Sequence, residues 1–281
     1  MYASKPVRTT SLFFLFVLLC AGAYAQTQAQ TQAPAQPATQ KPFEPTVGQA
    51  GKDVVWVPTS QALVDKMLDM AKVTAKDFVM DLGSGDGRTV ITAAKRGARA
   101  MGIEYNPDMV ALSKKNAEAA GVANRATFVK ADLFETDLSK ATVITMFLLP
   151  QINLKLRPKI LDLKPGTRVV SNTFTMDDWP ADQTETISDE CTSWCTALLW
   201  IVPAKVEGSW QMPQGTLTLK QQFQSISGTL GNAPISGGKL KGDEISFTAG
   251  GAQYTGHVTG STMEGTTGGQ KPVNWSAKKI G

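Results

Sequence analysis

The chain has 281 residues, room for two ordinary domains, and its 42% hydrophobic and 19% charged residues suit a protein with a buried core. Its formal charge is +4; without Lys5 and Arg8 there remain 26 basic against 24 acidic residues, and no basic run carries interleaved aromatics. That balance excludes an electrostatic case for nucleic acid.

Residues 1–25 carry the pattern of an export signal. Lys5 and Arg8 form a short positive region, and Ser11 to Ala21 is an apolar run too short to span a bilayer comfortably. Ala23-Tyr24-Ala25 offers small residues at the two positions a signal peptidase reads. The expectation is cleavage before Gln26, no membrane span thereafter, and a periplasmic or extracellular protein. An uncleaved N-terminal anchor is the alternative and leads to the same side of the membrane. Lipid modification of Cys20 is disfavoured, because Leu19 stands where a small residue is wanted. Residues 26–45, mostly Gln, Thr, Ala and Pro, cannot bury apolar surface and are expected to form a disordered linker.

Over 46–203 strands and helices alternate. Ser60 is placed as an N-cap ahead of Leu63, Val64, Met67, Leu68 and Ala71 at helical spacing. Phe78-Val79-Met80-Asp81-Leu82 reads as a buried strand running into a glycine cluster. Helices are predicted over 88–96, 107–120 and about 151–161, and strands over 99–104, 126–129, 142–147 and 167–172. The alternation predicts an α/β domain with a Rossmann-like parallel sheet and helices on both faces. From 204 to 281 the texture changes. Short alternating runs at 205–211, 215–223, 224–230, 243–248, 252–258 and 272–278, separated by Gly-rich turns, predict a small all-β barrel or sandwich.

The chemistry-bearing feature is Asp81-Leu82-Gly83-Ser84-Gly85-Asp86-Gly87-Arg88, where a strand gives way to a helix. Glycines there let the backbone approach a ligand closely, and the helix start offers free amides to electron-rich atoms. A dinucleotide fingerprint needs Gly-x-Gly-x-x-Gly, but position 88 is Arg; a phosphate loop needs Gly-Lys followed by Ser or Thr, which is absent. Asp81 would repel a diphosphate. It suits the ammonium group of S-adenosylmethionine (SAM), which has no phosphate. Glu104, 23 residues on and ending the second strand, can accept hydrogen bonds from both ribose hydroxyls. Asp132, after the third strand, suits the adenine amino group, with Leu133 against the ring. A Gly loop, a Glu and an Asp on successive strand ends resemble the class I SAM-dependent methyltransferases.

The resemblance narrows further. Val57-Pro58-Thr59-Ser60, the Asp81–Arg88 motif, Gly102-Ile103-Glu104 and Phe147-Leu148-Leu149-Pro150 are similar to a bacterial branch of that class. This branch resembles the lysine methyltransferases that act on the c subunit of ATP synthase. The likeness covers about 55–175. It implies a SAM pocket lined by Pro58 and Thr59 beside Gly83, Ser84, Gly85 and Gly87, and a protein lysine as the methyl acceptor. Residues 204–281 have no counterpart in it.

On the acceptor side, Phe147-Leu148-Leu149-Pro150 lacks the Asn or Asp, paired prolines and aromatic of base-directed amino-methyltransferases, which disfavours adenine or cytosine as acceptor. Phe147, Leu149 and Pro150 are candidates for the acceptor site. Trp179, in the segment 174–179, is a further candidate, with a packed tryptophan under a surface loop as the alternative. No residue is singled out as catalytic, because in-line attack by a neutral amine on an activated methyl needs alignment more than acid–base help. Cys191 and Cys195, the pair left after signal removal, form either a disulfide or two free thiols; with the only histidine, His257, far off in sequence, no metal site is expected. SAM is a cytosolic metabolite, so the competing reading is an exported, non-catalytic binding or scaffold protein on a methyltransferase fold. Its barrel, with Trp210 and Trp275, would then be a ligand-binding module.

Overall fold

The computed structural model describes residues 43–280; the expected export signal and nearly all of the expected linker lie outside the described residues. Helix α1 (Gln61–Met70) starts where Ser60 accepts a hydrogen bond from the Leu63 amide at 3.3 Å. There follow β1 (Phe78–Leu82), α2 (Arg88–Lys95), β2 (Arg99–Glu104), α3 (Pro107–Ala119), β3 (Ala126–Lys130), β4 (Val143–Met146), α4 (Pro150–Leu161) and β5 (Arg168–Asn172). Asn106 caps α3, with Pro107 at the first helical position, where its missing amide hydrogen costs nothing.

These five strands are parallel in the order β3-β2-β1-β4-β5. Two further strands that the sequence pattern does not mark, β6 (Gln183–Thr186) and β7 (Thr196–Ile201), extend the sheet antiparallel beyond β5. β6 is polar and largely exposed, so no apolar alternation marks it.

The sheet is buried on both faces because its strands alternate between two cores. Val79 joins Leu63, Leu68, Val90 and Val110 under α1–α3, whereas Met80 and Leu82 join Ile152, Leu156 and Ile160 of α4. At the lower edge Asp77, 7% exposed, accepts from the Thr74 amide and Thr142 and pairs with Arg168. Burial pushes the Asp77 carboxyl up, but these three partners together hold it below the usual carboxylate range.

The remaining residues close an eight-stranded antiparallel barrel: β8 (Gly208–Met212), β9 (Gly215–Gln222), β10 (Ser225–Leu230), β11 (Ala233–Lys241), β12 (Glu244–Ala249), β13 (Ala252–Thr259), β14 (Thr262–Thr267) and β15 (Asn274–Ile280). The sequence pattern misses β11 and β14. Gly237 and Gly238 interrupt β11 at a register shift between Ser236 and Lys239, and β14 buries only Met263 of its six residues. The barrel is full. Trp210, Leu217, Phe247, Tyr254, Met263 and Trp275 pack its interior, with Phe247 and Tyr254 stacked at 4.8 Å. Apolar side chains thus occupy the interior positions of the expected ligand-binding module.

The sheet and the barrel belong to one compact unit, and the barrel docks on the α4 face of the sheet. Phe223, at the β9–β10 turn, stacks on Trp179 at 5.7 Å; Arg157 of α4 lies over the Phe223 ring; and Gln224 donates to the Pro180 carbonyl at 2.8 Å. Trp179 is therefore not an acceptor-site wall. It is 1% exposed, held between Phe223 and Trp200, and buried by the barrel that follows it in sequence.

Candidate functional site

The Gly loop sits at the C-terminal ends of β1 and β2, where open α/β sheets bind ligands. Gly83, Gly85 and Gly87 all have positive φ, of 77°, 53° and 84°. A Cβ on Gly85 would lie 2.6 Å from Trp56 Nε1, and one on Gly87 would lie 2.8 Å from the Phe128 ring. The first glycine faces the cleft; Gly87 instead lets α2 pack close, and among the predicted loop residues it is the one that does not line the cleft. The loop is tied down by the Gly83 and Ser84 amides donating to the Ile103 carbonyl and by Ser113 donating to the Gly85 carbonyl at 2.7 Å.

Five carboxylates line the cleft, Asp53, Asp81, Asp86, Glu104 and Asp132, and three of them are predicted to hold the cofactor. Asp81 is buried, and one of its oxygens accepts from Thr145 at 2.6 Å. Desolvation, with smaller contributions from the nearby Asp86 and Glu104 charges, outweighs the Thr145 bond and pushes the Asp81 carboxyl up to about 7. A group so placed gains from a cationic ligand. Glu104 accepts from the Gly85 amide at 3.0 Å with one oxygen and from the Asn106 amide at 2.9 Å with the other. Each carboxylate oxygen has a second lone pair, so Glu104 is aimed by the backbone and still free to accept from a diol. Asp132 accepts from the Phe134 amide at 2.8 Å and pairs with Lys52 at 2.5 Å, which holds its carboxyl below the usual range.

The fourth wall is a strap of which the sequence motifs mark only the end. Residues 48–56 fold into a small hairpin, with the Ala50–Val55 bridge, the Gly48 amide donating to the Trp56 carbonyl and the Trp56 amide donating to the Gln49 carbonyl, and lay Lys52, Val54 and Trp56 along the cleft. Pro58 and Thr59 line it as well. Arg88, clamped by Asp86, donates to the Thr59 carbonyl at 2.7 Å, and Asn172 donates to the Thr59 hydroxyl at 3.2 Å. The Asp86-Gly87-Arg88 segment thus fastens the strap to the loop. Local spacing gives no hint of this, since the partners lie 29 residues apart.

Of the predicted cofactor residues, Pro58, Thr59, Asp81, Gly83, Ser84, Gly85, Glu104, Asp132 and Leu133 all line one cleft. Of the acceptor candidates, Phe147 and Leu149 line it. Pro150 does not: it is the exposed first residue of α4, where its fixed φ starts the helix. Phe174 and Trp194 complete the lining beyond β4 and β5. Cys191 and Cys195 are joined in a disulfide with Cα atoms 5.8 Å apart. Among the described residues no group of His, Cys, Asp and Glu is placed to hold a metal, and no helix is long and apolar enough to cross a membrane.

The residues fit SAM. A buried carboxylate suits its ammonium, a backbone-aimed Glu its ribose, and Asp132 its adenine. The Ser84 hydroxyl makes no hydrogen bond, and it is buried under the loop against Gly102 and Phe128. Comparison with known proteins agrees. Over 139 residues the chain is 46% identical to a protein-lysine N-methyltransferase of Saccharolobus islandicus, covering 48% of this chain and 86% of that protein. The chain belongs to this family of SAM-dependent methyltransferases. The family model described as the ANTKMT methyltransferase domain matches residues 81–183. The lysine N-methyltransferase of the ATP synthase c subunit in Rattus norvegicus is 32% identical over 64% of this chain and 79% of its own length. A crystal structure described as an RNA methyltransferase from Salinibacter ruber, in complex with S-adenosylhomocysteine, is 47% identical; the match covers 53% of this chain and 96% of that one, with a TM-score of 0.50. The methyltransferase uses SAM, and its barrel lies outside the residues matched by the family model.

Proposed function

We propose that this methyltransferase transfers the methyl group of SAM to the ε-amine of a lysine in a protein, and that it works outside the cytoplasm. The observation that carries the acceptor reading is the cleft lining after β4 and β5. Phe147, Leu148, Leu149, Ile152, Phe174 and Trp194 place no ionisable side chain there. Such a wall offers no base to a hydroxyl acceptor, but it suits an amine. An apolar surround disfavours the ammonium form, so the lysine sheds its proton to water before the methyl is transferred and presents a neutral nucleophile. SAM supplies a methyl already activated by the sulfonium charge, so the chain's contribution is to align and desolvate. The protein-lysine N-methyltransferases among its relatives support the same acceptor.

Export is supported by the signal-like residues 1–25 and by the Cys191–Cys195 disulfide, a bond that persists in oxidising compartments. The test is to incubate the full-length protein with methyl-labelled SAM and either a protein extract or total RNA of its source cell. Label on lysines, identified by mass spectrometry, supports the reading. Label confined to RNA, or none in either pool, overturns it; the second result would favour a scaffold.

A further inference from the structure

The loop Cys191–Cys195 places one large side chain beside the apolar wall of the cleft. Trp194 lines the cleft, and its ring lies 5.9 Å from that of Phe147, which stacks on Phe174 at the same spacing. The side chain is nevertheless 45% exposed, so it walls the cleft without being part of a core. Its backbone is costly to hold. Trp194 has φ of 54° and Glu190, just before the disulfide, has 55°, a region bulky residues avoid. Two constraints hold it there: the disulfide closes a loop of three residues, and β7 begins immediately after Cys195, whose carbonyl accepts from the Ile187 amide at 3.0 Å. A strained backbone fixed by a covalent bond and a sheet strand, around a half-exposed tryptophan at a cleft, is the arrangement of a positioned recognition group. This tryptophan also lies beyond residues 81–183, which match the family model.

We propose that Trp194 is a specificity-determining wall of the acceptor site, receiving the alkylammonium chain of the incoming lysine in a cluster with Phe147 and Phe174, and that the Cys191–Cys195 bond is what holds it in place. This rests on the lysine reading above. The aromatic faces attract the cation as it arrives and cover its methylene stem, and deprotonation follows deeper in the cleft. Cofactor capture, which uses Asp81, Glu104 and Asp132, is independent of the loop.

Two probes separate these contributions without turnover. One is S-adenosylhomocysteine. The other is its analogue in which nitrogen replaces sulfur and carries a 2-(butylamino)ethyl arm, whose amine stands near the place of the attacking lysine nitrogen and whose butyl chain stands for the lysine stem. Both are titrated calorimetrically into the full-length wild type, Trp194→Ala, Trp194→Phe and the double variant Cys191→Ser, Cys195→Ser. The arm should strengthen binding to the wild type. Trp194→Ala and the double cysteine variant should bind the armed probe about tenfold more weakly, the order of one partly desolvated cation–π contact, while binding S-adenosylhomocysteine as the wild type does. Trp194→Phe should keep most of the gain. An arm that adds affinity equally in all four proteins overturns this inference alone. An arm that adds nothing in the wild type, although S-adenosylhomocysteine binds, overturns the lysine reading and this inference with it.

Discussion

Replacing Asp81 by Asn should stabilise the ligand-free protein and disable it. The side chain is 7% exposed, and its carboxyl is pushed from 3.8 to about 7, chiefly by desolvation. The folded-state value lies above the unfolded one. Between these two pH values the folded protein keeps a proton that the unfolded chain has lost, so stability falls as pH rises through that window. Above pH 7 the full cost applies, on the order of 4 kcal/mol if the whole shift is expressed. Asn is neutral and of the same shape and can keep a hydrogen bond with Thr145. Urea unfolding of ligand-free protein at pH 8 should therefore show Asp81→Asn more stable than wild type by a few kcal/mol, with the gap closing towards pH 4. Binding should move the other way: the variant loses the charge that meets the ligand ammonium, and S-adenosylhomocysteine affinity should drop by at least tenfold. In the wild type, affinity should decline as pH falls below 7, where Asp81 becomes protonated. A variant less stable than wild type at pH 8, or a gap that ignores pH, would refute the claim that Asp81 is held ready for a cation at a cost to the fold.

Gly85→Ala should weaken S-adenosylhomocysteine binding by at least tenfold, because its Cβ would lie 2.6 Å from Trp56 Nε1 at a φ of 53°, displacing the strap; calorimetry against wild type checks this. Trp179→Ala should cost about 3–5 kcal/mol in urea unfolding by removing the ring that Phe223 stacks on, yet leave S-adenosylhomocysteine affinity within about twofold. Unchanged stability, with weaker binding of the analogue that carries the amine arm, would restore Trp179 to the acceptor site. Asp77→Ala should cost about 3 kcal/mol by leaving Arg168 without its carboxylate. The wild-type Asp77 contribution should be lost as pH falls through its lowered folded-state value, which acid unfolding of both proteins would show.

The parallel sheet and the cofactor side of the cleft are legible in the sequence because their signals are local. Asp81, Gly83, Gly85, Glu104 and Asp132 sit at fixed offsets from strand ends, and the sheet register carries them to one place. Partners far apart in sequence are not legible. Lys52 meets Asp132 across 80 residues, and Trp194 reaches Phe147 only because β7 returns antiparallel beside β5. Trp179 is ambiguous for a related reason: an aromatic in a polar segment reads equally well as a site wall or as a docking surface, and the Phe223 that decides the matter is 44 residues later. In the barrel, β11 and β14 escape because glycines and threonines replace the apolar alternation where strands bulge or pass closely.

The central claim is that the cleft between the Gly loop and the strap is the cofactor site. Calorimetric titration of S-adenosylhomocysteine into the full-length protein and into an Asp81→Ala, Glu104→Ala double variant tests this directly. Micromolar binding by the wild type, abolished in the double variant, is the predicted result. No binding by the wild type, or undiminished binding by the variant, would contradict it.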